Sequence, residues 1–146
     1  MQARAISIDQ ALNLLQDHGY RLTGPRRTIA GSVLEFEHAF SADDLVKRVD
    51  EIDPGVGRAT VFRTLDVLAQ IGLLDRLHSP DGCHSYVLGM GSDMHYHHLV
   101  CSSCGVVVPF EGCNVDNMLA DLQRNTNFAI SNHMLEVFGL CETCQN

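Results

Sequence analysis

A chain of 146 residues with 45% apolar and 19% charged residues has room for one ordinary domain or two small ones, and that balance excludes a disordered chain. No apolar run approaches the roughly 18 residues of a membrane span and no leader-like segment opens the chain, so the expected location is the cytoplasm. There, six cysteines point to metal or redox chemistry rather than to disulfides. The net charge of −8 opposes binding to phosphate in bulk, but it is unevenly spread. Residues 1–88 hold 9 of the 10 basic residues against 12 acids, giving −3, and residues 89–146 hold one against 6, giving −5. A nucleic-acid face needs only a local basic strip, and Gly55 to Thr64 contains Arg58 and Arg63 and no acid.

In chain order, Ile8, Leu12 and Leu15 recur at helical spacing and Gly19 stops that helix. Thr23 caps a second helix, with Pro25 early where its missing N–H costs nothing and Ile29 and Val33 facing inward. Ser41-Ala42-Asp43-Asp44 reads as a capping box opening a third helix that buries Leu45, Val46 and Val49 and ends at Asp53-Pro54-Gly55. The fourth helix runs from about Arg58 to Ile71, buries Val61, Leu65 and Leu68 and stops at Gly72. Leu73 to Leu77 and Ser85 to Leu88 are strand-like and flank the turn signal Ser79-Pro80-Asp81-Gly82.

Helices followed by a hairpin describe a winged helix-turn-helix over residues 1–88, and Gly89-Met90-Gly91-Ser92 opens a hinge over 89–94. Beyond it, His95 to Val100, Val106 to Phe110 and Phe128 to Phe138 read as strands, and Val115 to Gln123 as a helix, making 95–146 a small α/β domain. The fold class is therefore α+β: an N-terminal winged helix-turn-helix with a small C-terminal α/β domain.

Cys101-x-x-Cys104 and Cys141-x-x-Cys144 each follow an apolar strand, with 36 residues between the pairs. Structural zinc takes four thiolate or imidazole ligands in a tetrahedron, and a Cys-x-x-Cys on a tight turn supplies two of them. Two copies favour one structural zinc over a redox pair, which needs only one copy. Just before Cys101, the tract His95-Tyr96-His97-His98 lies on a strand whose alternation sends His95 and His97 to one face and Tyr96 and His98 to the other. In the fourth helix, with the apolar positions turned inward, Arg58, Thr60, Phe62 and Arg63 form the outward set that reaches DNA in a winged helix, and Arg26 and Arg27 start the second helix as phosphate contacts. No His-Glu-x-x-His or comparable signature places a general base beside a catalytic metal, so the chain is not expected to be an enzyme.

Taken together, Leu22-Thr23-Gly24-Pro25-Arg26, His38-x-x-Ser41-Ala42-Asp43-Asp44-Leu45, Ala59-Thr60-Val61-Phe62-Arg63-Thr64-Leu65, the His95 to Gly105 tract and Asn132-His133 ahead of Gly139-x-Cys141-x-x-Cys144 resemble the ferric uptake regulator (Fur) family over nearly the whole chain. The resemblance implies a winged helix joined to an α/β dimerisation domain, so a homodimer, and a metal-responsive repressor binding a double-stranded DNA operator with an inverted repeat. It also implies a second metal site at His95, His97, Asp116 and His133. For the family's hinge site His98 matches, but Tyr96 stands where a histidine is usual, Gly89 where an acid or cysteine is usual, and His38 is one residue out of register. The substitute set is His38, His78, Cys83, His84 and His98. The family usually has Tyr at Phe62. A thiolate at Cys83 favours zinc as the sensory metal, whereas histidine and carboxylate ligands also suit iron or manganese. The expectation is thus a zinc uptake regulator, with an iron, manganese or peroxide responsive repressor, or a zinc-stabilised binding module without sensing, as alternatives.

Overall fold

The computed structural model describes residues 6–78, 84–89, 97–111 and 114–146. The chain divides into two compact units, Met1–Asp93 and Met94–Asn146. Among the described residues no helix is long and apolar enough to cross a membrane.

The first unit begins with α1 (Ile8–Asp17), α2 (Gly24–Val33), β1 (Phe40–Ser41) and α3 (Ala42–Ile52), and continues with α4 (Arg58–Gln70), β2 (Leu74–His78) and β3 (His84–Leu88). Each of the first three helices starts where a hydroxyl captures an otherwise orphaned amide. Ser7 accepts from Gln10 N–H and Gln10 returns a bond to Ser7 N–H, Thr23 accepts from Arg26 N–H, and Ser41 and Asp44 form the reciprocal pair on α3. The Ser7 box was not recognised from sequence. On α1 the inner face is Ala11 and Leu15, both fully buried, whereas Ile8 is exposed. Ile8 opens the helix, and a helical Cβ tilts toward the N-terminus, away from the core. Val46 is likewise only half-buried on α3, beside buried Leu45 and Val49.

One core joins Leu15, Ile29, Val33, Phe40, Leu45, Val49, Leu65 and Leu68. The sheet order is β1-β3-β2, all antiparallel, with Phe40 opposite Tyr86 and His78 opposite His84. β1 is too short to leave a pattern in the sequence, and it exists because Phe40 packs on Phe36 and Tyr86. The turn Ser79 to Gly82 and the linker beyond Gly89 lie outside the described residues.

Gly89 closes β3 against the end of α4: its N–H donates to Leu73 O at 2.8 Å, and a Cβ placed on it would lie 2.4 Å from Gly72 O. An atom that close must displace backbone, since both partners are main chain. We predict that Gly89→Ala destabilises the first unit by about 1–3 kcal/mol, the usual cost of overpacking. Thermal melting of the full chain measures it, and an unchanged midpoint would mean that the strand end moves freely.

The second unit contains β4 (His97–Cys101), β5 (Val107–Phe110), α5 (Asp116–Thr126), β6 (Glu136–Gly139) and a final 3₁₀ turn, Glu142–Gln145. The sheet order is β5-β4-β6, with β4 antiparallel to β5 and parallel to β6. The strand expected from Phe128 is confined to Glu136–Gly139. Asn127 ends α5 at φ +53°. Beyond it, Gln123 Oε1 accepts the Ile130 N–H at 3.0 Å and Asn132 Oδ1 the His133 N–H at 2.8 Å, so side chains take amides that a ladder would need. Only His97, His98 and Cys101 are buried among the described residues of this unit. Leu99, Val108, Val137 and Leu140 on or beside the sheet and Met118 and Leu122 on α5 are exposed.

Candidate metal centre and nucleic-acid interface

Parallel pairing of β4 with β6 places Cys101 opposite Gly139, and Ser102 N–H extends that ladder to Gly139 O at 2.8 Å. Each strand then runs into a Cys-x-x-Cys turn. The first closes through Gly105 N–H to Cys101 O at 3.0 Å, and it needs the φ of +76° that Gly105 adopts. The second closes through Cys144 N–H to Cys141 O at 2.9 Å. The Cys101, Cys104, Cys141 and Cys144 sulfurs thereby fall within 4.8 Å of one another, with Cys104 and Cys141 Sγ 3.7 Å apart. A tetrahedron with metal–sulfur bonds of about 2.3 Å has edges of about 3.8 Å, so the donor set fits a tetrathiolate-bound cation. No pair is disulfide-bonded.

Electrostatics point the same way. The backbone N–H of Cys104, and then that of Cys141, lower the Cys101 thiol to about 6, and Cys141 N–H lies 3.4 Å from Cys101 Sγ. Ser103 draws Cys144 downward, but the neighbouring thiols of Cys141 and Cys104 outweigh it and push Cys144 up to about 11. Cys104 is also raised: the Val106 N–H lowers it, but the Cys101 thiol and burial prevail. Four thiolates this close repel one another, and a cation is what lets all four lose their protons.

The sign of the acid response follows. A lowered pKa means that Cys101 stabilises the folded cluster at and above the ordinary thiol range and loses that contribution as pH falls through about 6. A bound cation lowers the thiols further, so we predict retention at pH 7 and release with a midpoint below pH 6. Elemental analysis after equilibration across pH reads this directly; release centred above pH 7 would contradict the tetrathiolate assignment.

Besides these cysteines, no group of three or more His, Cys, Asp or Glu side chains gathers its ligand atoms among the described residues. His97 is 2% exposed, and its ring centre lies 5.4 Å from those of both Phe110 and His133. Asp116, in the first turn of α5, is exposed and stands outside that pair. His95 and Cys83 lie outside the described residues. His38 is exposed in the loop before β1, His98 is buried on β4, and the His78 and His84 rings meet at 4.9 Å.

On the first unit, α4 begins at Gly57 with no side-chain cap, leaving amides of its first turn open to an acceptor. Arg58 donates to Asp43 at 2.5 Å and lies over the Phe62 ring, 4.9 Å from its centre. Arg63 donates to Thr60 Oγ1 at 3.3 Å. A cleft of about 510 Å³ lined by Thr23, Arg26, Thr60, Arg63, Thr64, Asp66 and Val67 runs between α2 and α4. Arg26 is anchored there by the Arg21 carbonyl at 2.6 Å and the Tyr20 ring, while Arg27 is exposed. Asp43 and Tyr20 escaped the sequence reading. Asp43 was visible only as part of the capping stretch Ser41 to Asp44, and nothing in the linear order of residues couples it to Arg58.

Residues 17–138 match the Ferric uptake regulator family. The ferric uptake regulation protein of Bacillus subtilis (strain 168) is 34% identical over 139 residues, 94% of this chain and 93% of its own length. The peroxide operon regulator of the same organism is 31% identical over 140 residues, 96% and 94% of the two chains. Among solved structures, a zinc uptake regulator complexed with zinc and DNA superposes with a TM-score of 0.75 at 27% identity, covering 94% of this chain and 92% of that one. The chain belongs to the ferric uptake regulator family of metal-responsive transcription regulators, which are not enzymes.

Proposed function

We propose that the chain is a homodimeric repressor that binds an inverted-repeat DNA operator when its sensory metal is bound, and that this metal is zinc. The observation that carries the zinc reading is the likeness, along nearly the whole chain, to a zinc uptake regulator bound to zinc and DNA. An iron-responsive repressor is the second reading, favoured by the ferric uptake regulation protein among the sequence relatives. On either reading, Cys101, Cys104, Cys141 and Cys144 hold a structural zinc, and a bound cation there supplies charge neutralisation and a cross-link between the ends of β4 and β6. The exposed apolar side chains of the second unit suit burial against a second copy.

Sensing is assigned to His95, His97, Asp116 and His133. Buried His97 supplies a fixed imidazole beside Phe110, and His133 sits on the irregular stretch that can adjust toward it. Asp116 joins from the exposed start of α5. The hinge set His38, His78, Cys83, His84 and His98 is a second sensory candidate. Metal shifts the regulator toward its DNA-binding arrangement only to the extent that it binds that arrangement more tightly. With the tetrathiolate filled, zinc should tighten binding to an inverted-repeat operator by at least tenfold, measured by fluorescence anisotropy against ferrous iron and manganese. Asp116→Ala and His133→Ala should each abolish most of that gain; an undiminished response in both variants removes this site from the mechanism.

Arg58, Thr60, Phe62 and Arg63 are the proposed reading set, with Arg26 and Arg27 on phosphates. Asp43 competes with DNA for Arg58, because its carboxylate occupies the guanidinium and repels nearby phosphates. Both partners are largely exposed, so the pair itself adds little to stability. We predict that Asp43→Asn tightens binding severalfold to operator and random DNA alike and steepens the log–log salt dependence by up to about one unit. Weaker binding would instead give Asp43 the role of orienting Arg58.

A further inference from the structure

We propose that His78 and His84 form an exchangeable site for a borderline divalent cation, such as zinc, within the wing hairpin, independent of the second unit. The two residues face each other on the outermost described rung of the β2–β3 ladder, and both are exposed. Paired residues of neighbouring strands project to the same face, so the hairpin itself brings the rings together, 4.9 Å between centres and 86° between planes. Zinc–nitrogen bonds of about 2.0–2.1 Å put an imidazole centre about 3.2 Å from the ion, so two ligands subtending roughly 90–109° have centres about 4.5–5.2 Å apart. The observed separation falls inside that interval. Perpendicular planes are compatible with it, because each ring turns freely about its own metal–nitrogen bond.

The surroundings allow a cation. On the same face two rungs inward lies Arg76, whose charge is balanced by Asp66 at 2.9 Å and which rests over the Tyr86 ring. Two imidazoles leave coordination positions for water or an outside donor, so the site binds weakly and exchanges readily. Imidazole selects zinc, copper or nickel over magnesium or calcium. Occupancy would tie β2 to β3 at their outer ends, in the element that follows the reading helix. This deepens the sensory reading and rests on it only for its biological consequence: His78 and His84, both members of the hinge candidate set, would bind metal without His98.

The test uses the full chain with its tetrathiolate filled, titrated with zinc chloride and followed through the imidazole nitrogen resonances. The His78 and His84 rings should shift together, and His78→Gln with His84→Gln should lower bound zinc by one equivalent per chain at the same free zinc. The shifts should persist in His133→Ala, which disables the proposed sensor in the second unit and so separates failure of one site from failure of the other. Rings that do not move in the unaltered chain, or an unchanged zinc count in a double variant that melts normally, overturn the proposal.

Discussion

The second unit depends on the convergence of four sulfurs. Its described residues bury two histidines and Cys101 and little else, whereas an independent domain of this size needs a core to offset chain entropy. β4 and β6 run parallel, and parallel neighbours need a long crossover, here carried by β5, α5 and the irregular stretch before β6. Fixing the two ends of such a loop is costly, and a cation on the Cys-x-x-Cys turns would fix both at once. The turns are shaped for that role: Gly105 takes the left-handed conformation, Cys144 folds back on Cys141, and the amide of Cys141 approaches the Cys101 sulfur. Without a cation, the neighbouring thiols and burial keep Cys104 and Cys144 protonated, and a bound cation would remove that bias.

The first unit is organised the other way round, with a closed apolar core and its chemistry on the outside. On the proposed reading, this is how a chain of net charge −8 presents α4 to DNA. Arg48, Arg58 and Arg76 are engaged by carboxylates of the same unit, whereas Arg63 is held by a hydroxyl. Phosphate can displace a hydroxyl at little electrostatic cost, but must compete with a carboxylate for a guanidinium. With α4 as the proposed reading helix, affinity would then depend on the local arrangement of ion pairs around it rather than on the overall charge.

Most of this architecture was legible in the sequence, because the features that carry it are local. Thr23, Ser41, Gly19 and Gly72 mark helix ends through backbone chemistry confined to a few residues, and the apolar positions of α4 keep strict helical spacing. The paired Cys-x-x-Cys motifs announced a shared site because their chemistry is scarce and their spacing short. What escaped was non-local or competitive. β1 depends on its pairing with β3 and on the packing of Phe40 on Phe36 and Tyr86. The strand expected from Phe128 is cut short by Gln123 and Asn132, side chains whose interference alternation does not encode. Asp43 and Arg58, fifteen residues apart, join two helices, and nothing in either segment names the other.

The contrast between the units also bears on how sensing could work. A metal that binds a rigid, already stable site leaves the rest of the molecule unchanged, since it has no second state to favour. The described part of the second unit has little core of its own: its buried residues are few, α5 buries none of its side chains, and Phe128 and Met134 in the stretch next to His133 are 71% and 63% exposed. On the proposed reading, binding at His97 and His133 would order this stretch and α5 together, and a second copy would cover the apolar residues so positioned. Ordering by metal and burial by the partner then reinforce each other, because each reduces the entropy the other must overcome. A weakly cored unit is therefore suited to a metal sensor, provided the tetrathiolate holds its sheet while the rest remains free to respond.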